Sequence, residues 1–223
     1  YGLVGSEMCI RDRDGIMIRT FAQEEVETLA RVGSIPIING LTDFCHPCQV
    51  LADLQTVREY KGRIEGLNMC YIGDGNNMAN SLIVGFLKMG AHVSIACPKA
   101  YQPDAQVLSF TEQYPGKFVM TESPEEAAKD ADVIFTDVWA SMGQEEEKAV
   151  REKAFRGYQI NAELLAKAHL GCMVQHCLPA HRGEEITADV FESHADQIFD
   201  EAENRLHAQK AVMVCLLYTS PSP

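Results

Sequence analysis

From residue 14 to residue 214, short strand-type runs, of period two or apolar throughout, are interspersed with longer stretches whose apolar positions recur every three to four residues. The runs GIMIRTF and IPIING predict two strands, and AQEEVETLARVG between them predicts a helix closed by Gly33. Pro47 to Tyr60 predicts a helix that begins on proline, where the missing N–H costs nothing. Leu67 to Ile72 predicts a buried strand that runs into GDGNN and the helical MANSLIVGFLKMG. HVSIACP, KFVMTES, Val133–Thr136 and CMVQHCL predict four further strands, separated by helices over DAQVLSFTEQYPG, SMGQEEEKAVREKAF and Asn161–His169. Ser123-Pro124-Glu125-Glu126 has the order of a capping box and predicts one more helix start. Residues 188–214 predict two helical stretches. The five strands from Leu67 onward, separated by helices of this length, make repeated βαβ units, hence an α/β fold with a doubly wound parallel sheet covered on both faces.

The two ends do not share this patterning. Residues 1–13, YGLVGSEMCIRDR, follow neither period, and CLLYTSPSP from Cys215 onward ends in a Ser/Pro tract. Both resemble translated sequencing-adaptor read-through, with natural disordered tails as the alternative, and both are set aside from fold reasoning. The expectation that follows is a fragment with protein missing upstream.

Composition narrows the function classes. The 223 residues are 46% hydrophobic and 23% charged, a globular balance, and 19 Lys+Arg against 32 Asp+Glu leave a net charge of −13. Such a surface repels nucleic acid and anionic membranes, so neither is an expected partner. No apolar run has the roughly 20 residues of a membrane-spanning helix. Of the eight cysteines, Cys70, Cys97 and Cys172 lie in apolar runs, and no secreted disulfide framework is visible. The expected compartment is a reducing cytoplasm.

Four stretches carry candidate chemistry. GDGNNM (Gly73–Met78) lies where a doubly wound sheet puts its ligand loop, but Met78 replaces the third glycine and no ribose-binding acid follows, so a dinucleotide is excluded. It reads equally as a plain turn or as amide groups offered to a polar ligand. Cys45-His46-Pro47-Cys48 precedes a helix. It reads as a redox C-x-x-C with a thiol acidified by the helix end, as part of a zinc site with Cys172, His176 or Cys177, or as a phosphate seat with His46 and Gln49. TDVWASMG sets Asp137 at the carboxyl end of one strand, and QHCLPA sets Cys177 at the end of another. Polar groups at the carboxyl ends of several strands converge on one crevice in this architecture.

In order, HPCQ followed by LAD, GDGNN, DVWASMGQEEE, HCLPAHRGEE and EAENR resemble the ornithine carbamoyltransferase family from Asp14 to Val214. HPxQ is shared with the aspartate branch, whereas SMG and HCLP mark the ornithine branch. The resemblance implies that residues 14–53 are the remnant of a carbamoyl-phosphate domain, 54–195 an ornithine domain, and 196–214 a C-terminal helix packed back on the first domain. It implies that Arg19, His46, Pro47, Cys48, Gln49, Cys177, Leu178 and Arg205 contact carbamoyl phosphate. Asn77, Asp137, Ser141 and Met142 would hold L-ornithine. The implied catalytic group is Arg19, His46, Asp137 and Cys177, with no metal and no cofactor. The implied reaction gives L-citrulline and phosphate, in a homotrimer. The family's Ser-x-Arg-Thr phosphate motif has no copy here, so the fragment itself is expected to be inactive. The alternatives are a carbamoyltransferase for another amine and a thiol–disulfide or zinc-binding protein built on Cys45 and Cys48.

Overall fold

The computed structural model describes residues 13–140 and 147–219. Strand β1 (Ile16–Arg19), helix α1 (Gln23–Val32) and strand β2 (Ile37–Leu41) form a small βαβ unit, its strands parallel with Ile16 opposite Ile37. Helix α2 (Pro47–Lys61) follows, with His46 at its N-cap and Gly62 closing it at φ 74°, a left-handed conformation that glycine adopts without strain. The unit boundary expected between residues 53 and 54 falls inside this continuous helix. That helix runs on to Lys61.

The larger unit comprises β3 (Asn68–Ile72), α3 (Asn77–Lys88), β4 (His92–Ala96), α4 (Ala105–Thr111), β5 (Phe118–Thr121), α5 (Pro124–Ala128), β6 (Val133–Thr136), α6 (Lys148–Ala154), α7 (Ala162–Leu165) and β7 (Met173–His176). Its five strands are all parallel, in the order β5-β4-β3-β6-β7. Period two in β3 separates the two cores. Met69 and Tyr71 pack with Val57, Leu82, Phe86 and Phe135, whereas Cys70 and Ile72 face Phe155, Ile160 and Ile198. A strand buried on both faces must be apolar throughout, which is why NMCYI shows no alternation. The order reverses between β3 and β6, opening a crevice outside their carboxyl ends.

Helices α8 (Ala188–Ser193) and α9 (Ala195–Thr219) complete the described chain, and α9 runs five residues past Val214. It packs back along α2 through a polar seam. Asn204 Nδ2 donates to Thr56 Oγ1 (2.9 Å) and Glu59 Oε2 (2.8 Å), Gln55 Nε2 donates to Asn204 Oδ1 (2.9 Å), and Tyr60 donates to Asp200 (2.6 Å).

Some local expectations shift. Helix α4 ends at Thr111 and α7 at Leu165, both short of the predicted spans. At α5, Ser123 Oγ accepts from the Glu126 N–H as a capping box requires (3.3 Å). The Glu126 carboxylate instead accepts from Thr121 Oγ1 (2.8 Å), which itself accepts from the Ser123 N–H (3.1 Å). Among the described residues, no helix is long and apolar enough to cross a membrane.

Candidate functional site

The crevice between the two units holds a cavity of about 180 Å³ whose lining includes Arg19, His46, Asn77, Asp137, Cys177, Leu178 and Arg205. Seven of the residues expected from sequence thus meet in one place. Larger hollows of about 560 and 570 Å³ elsewhere on the surface lack this pairing of arginines with a carboxylate.

One end of the cavity is cationic. Arg19 ends β1 and Arg205 comes from α9, while His46 occupies the N-cap position of α2 without a side-chain capping bond, beside the partially positive end of that helix. Burial, then the charges of Arg205 and Arg19, push the His46 imidazole down to about 3, so it is neutral at physiological pH. Its Nδ1 is buried with no hydrogen-bond partner, and its backbone N–H donates to Ser81 Oγ (2.8 Å). Arg205 is held from two sides. Its Nη1 donates to Gln49 Oε1, and Gln209, with its amide oxygen turned inward, accepts from Nη2 (2.9 Å) and Nε (3.1 Å).

The other end carries the carboxylate of Asp137, just after β6. Its Oδ2 accepts from Asn76 Nδ2 (2.9 Å), and its Oδ1 accepts from the Cys177 thiol (3.0 Å) and the Val138 N–H (2.8 Å). Burial first, then the nearby Asp137 charge, raise the Cys177 pKa well above the usual thiol value. A thiolate base would need the opposite shift, so Cys177 acts here as a neutral hydrogen-bond donor.

The GDGNN turn divides its work. Asn76 caps α3, its Oδ1 accepting from Met78 and Ala79 N–H (2.9 and 3.2 Å), while Asn77 lines the cavity and donates to the Thr42 carbonyl (2.7 Å). Gly75 is required by a close approach: a Cβ there would lie 2.3 Å from Gln102 C and Pro103 N. Gly75 thus serves the packing of this turn against residues 101–103.

Three expected contacts lie off the cavity. Gln49 is buried behind it, its amide nitrogen donating to Asp53 Oδ1 (2.8 Å) and Glu201 Oε1 (2.9 Å), because α9 supplies partners on that side. Cys48 faces a neighbouring hollow with Arg19 and Arg205, and Pro47 lies on an apolar groove. Ser141 and Met142 lie outside the described residues.

The redox and zinc readings of Cys45 and Cys48 meet specific obstacles. Burial raises the thiols of Cys45 and Cys48, contrary to what a reactive C-x-x-C needs. Neither joins a set of close ligand atoms; among the described residues those sets are Asp137–His176–Cys177 and His181–Glu184–Glu185. In the first, both ring nitrogens of His176 are engaged. Its Nδ1 accepts from the Leu178 N–H (2.9 Å), which leaves Nε2–H to donate to Glu185 Oε1 (3.0 Å).

Sequence reasoning missed the supports. Asn77, Asn80 and Ser81 form a polar stripe on the otherwise apolar α3; Asn80 Nδ2 donates to the Phe44 carbonyl (2.9 Å) and Ser81 to the Asn77 carbonyl (2.7 Å). That i, i+3, i+4 stripe was the available signal. Arg151 was invisible. Its Nη1 reaches Asp74 (2.6 Å) and the Trp139 carbonyl (3.0 Å), and its guanidinium lies 4.9 Å from the Tyr101 ring. Burial pushes the Asp74 carboxyl up to about 6 against the pull of Arg151.

Comparison with known proteins bears on both units. A family model described as aspartate/ornithine carbamoyltransferase, Asp/Orn binding domain, matches residues 65–216, and its carbamoyl-P binding domain counterpart matches residues 6–59. The ornithine carbamoyltransferase of Geobacter sulfurreducens is 56% identical over 205 residues, which are 92% of this chain and 68% of that protein. That of Thermococcus kodakarensis is 54% identical over 208 residues, 92% of this chain and 66% of its own length. The solved structure of the ornithine carbamoyltransferase from Pyrococcus furiosus superposes with TM-score 0.89 at 47% identity, covering 97% of this chain and 70% of that one. The chain spans about two thirds of the length of these curated relatives.

Proposed function

The chain belongs to the aspartate/ornithine carbamoyltransferase family, and we propose that its protein transfers the carbamoyl group of carbamoyl phosphate to the δ-amine of L-ornithine. The observation that carries this reading is the make-up of the cavity, which brings Arg19, Arg205 and His46 at the start of α2 together with the carboxylate of Asp137, Asp43 being the other acid of the lining. An acyl phosphate dianion fits the cationic end. A substrate ammonium needs a desolvated counter-charge, which Asp137 supplies.

The chemistry follows from the same groups. The neutral δ-amine attacks the carbamoyl carbon, forming a C–N bond; a tetrahedral oxyanion forms and collapses, breaking the C–O bond, and the proton lost by the amine leaves on the departing phosphate. A neutral His46 has one N–H to donate to the developing oxyanion, and Arg19 and Arg205 balance the charge of the departing phosphate. Asp137, held by Asn76 and the Cys177 thiol, orients the amino acid; Asn77 offers its amide beside it. The Leu178 backbone, fixed on His176, lies at the boundary between the two ligands. In this reading Pro47 and Cys48 contribute backbone groups, Gln49 acts through Arg205, and Ser141 and Met142 remain proposed ornithine contacts from the resemblance alone.

The same reading places residues 14–61 in the carbamoyl-phosphate unit. The family resemblance also supports a cytoplasmic homotrimer, which light scattering on the purified protein checks. Binding by calorimetry tests the function: carbamoyl phosphate affinity falls in Arg205→Ala and L-ornithine affinity falls in Asp137→Asn. Preference for aspartate, N-acetylornithine or putrescine over ornithine would move the protein to another branch.

A further inference from the structure

Behind the cavity, where α2, α9 and the end of β7 meet, lie two carboxyl groups that the proposed chemistry does not use. Asp53 and Glu201 are both fully buried, 0% and 1% exposed, and lie side by side, bridged by the amide nitrogen of Gln49, while Asp53 Oδ2 has no hydrogen-bond partner of its own. Two carboxyl groups this close and cut off from water cannot both be ionised, so the pair holds one proton between them. The other three oxygens are engaged by two segments of the site. Gln49 Nε2 donates to Asp53 Oδ1 (2.8 Å) and Glu201 Oε1 (2.9 Å), and the His176 N–H donates to Glu201 Oε2 (3.0 Å).

This arrangement decides which way the Gln49 amide points. With both carboxyls on the nitrogen side, its oxygen faces outward and accepts from Arg205 Nη1. A primary amide has two nearly isosteric orientations, and the carboxyl pair leaves only one that satisfies the buried groups. Meanwhile Glu201 fixes the backbone one residue before Cys177. We propose that Asp53 and Glu201 are positioning residues, a carboxyl pair sharing one proton that locks Gln49, sets the Arg205 guanidinium for the phosphate end, and anchors the strand end bearing Cys177.

The charged and titratable groups facing the pair are Arg205 on α9, Asp137 after β6 and Cys177 after β7. Burial raises both carboxyls and their mutual repulsion raises Glu201 further, which keeps the shared proton in place at neutral pH. A second negative charge there would leave Gln49 and His176 unchanged as donors but would remove the proton that the two acids share.

The inference rests on the carbamoyl-phosphate reading of the Arg205 end, and its test separates the two. Asp53→Asn replaces the shared proton by an amide N–H beside Glu201 and keeps an oxygen for Gln49, so it conserves the arrangement. Asp53→Ala and Glu201→Ala do not. Infrared spectra at neutral pH are expected to show a buried protonated carboxyl in the wild type and its loss in Asp53→Asn. Titrated with carbamoyl phosphate, Asp53→Asn is expected within about twofold of the wild type, while both alanine variants, and Arg205→Ala as the reference, lose about tenfold or more. No protonated carboxyl in the wild type, or alanine variants that bind like the wild type while Arg205→Ala does not, would overturn the proposal. Glu201→Ala that fails to fold leaves Asp53→Ala against Asp53→Asn to decide it. Wild-type protein that binds no carbamoyl phosphate would overturn the functional reading, and the infrared band would still decide the carboxyl pair.

Discussion

Replacing His46 by glutamine tests whether the phosphate end is built at a cost to the free protein. His46 is 7% exposed, its Nδ1 has no partner, and burial with Arg205 and Arg19 holds its pKa at about 3, against 6.5 for a free imidazole. A gap of roughly 3.5 units corresponds to roughly 5 kcal/mol between the two protonation states, an order-of-magnitude ceiling. The unfolded chain takes up a proton on this histidine below pH 6.5, while the folded protein refuses it until about pH 3. The unfolded state therefore binds more protons in that window, and stability falls as pH falls through it. Glutamine has similar reach and never titrates. The wild type should lose about 2.5 kcal/mol relative to His46→Gln between pH 6.5 and 4.5. Urea unfolding of both proteins at pH 7.5, 6.5, 5.5 and 4.5 measures the difference, with other titrating groups cancelling. A difference constant across that range would show that His46 is not held neutral and would remove the electrostatic basis assigned to this end of the cavity. Inorganic phosphate offers an internal check: by neutralising the two arginines it should raise the His46 pKa, visible in the imidazole NMR shifts.

Other consequences are as direct. Asp137→Asn should weaken L-ornithine by about 1.5–3 kcal/mol, the worth of a charge-assisted hydrogen bond, and leave carbamoyl phosphate unchanged; equal losses for both ligands in calorimetry would mean that Asp137 only holds the loop. The Cys177 thiol, raised by burial and Asp137, should alkylate with iodoacetamide at pH 8 far more slowly than exposed Cys215, as read by mass spectrometry; comparable rates would restore a thiolate role. Arg151→Met should cost about 3 kcal/mol by leaving Asp74 buried without its partner. Asp74 already sits at about 6 against its usual 3.8, so stability is lost as pH rises through that window, and without Arg151 the window moves higher. Urea unfolding of this variant should therefore show a larger deficit at pH 8 than at pH 5, and an equal deficit would refute the pairing.

By itself the sequence determined what depends on neighbours along the chain. The alternation of apolar runs marked every strand from Ile16 to His176, and their uninterrupted apolar character marked a sheet covered on both faces. Pro47 marked the start of α2, Ser123 the start of α5, and the order of motifs along the chain placed His46, Asp137 and Cys177 at strand ends or a helix end. These signals are local because periodicity reports burial and caps report backbone geometry. Tertiary structure alone decided the partners. Arg205 meets Gln49 across 156 positions and Glu201 meets it across 152, so nothing near HPCQ announces that its glutamine turns away from the cavity. Arg151 reaches Asp74 across 77 positions for the same reason. Likewise Asn76 and Asn77 are indistinguishable in sequence, yet one caps a helix and the other lines the cavity, because only the approach of residues 42–46 and of Asp137 separates their environments. A sequence records which side chains need a partner. Which partner satisfies them is settled when helices and strands pack, since buried hydrogen-bonding groups must find one another wherever the fold brings them.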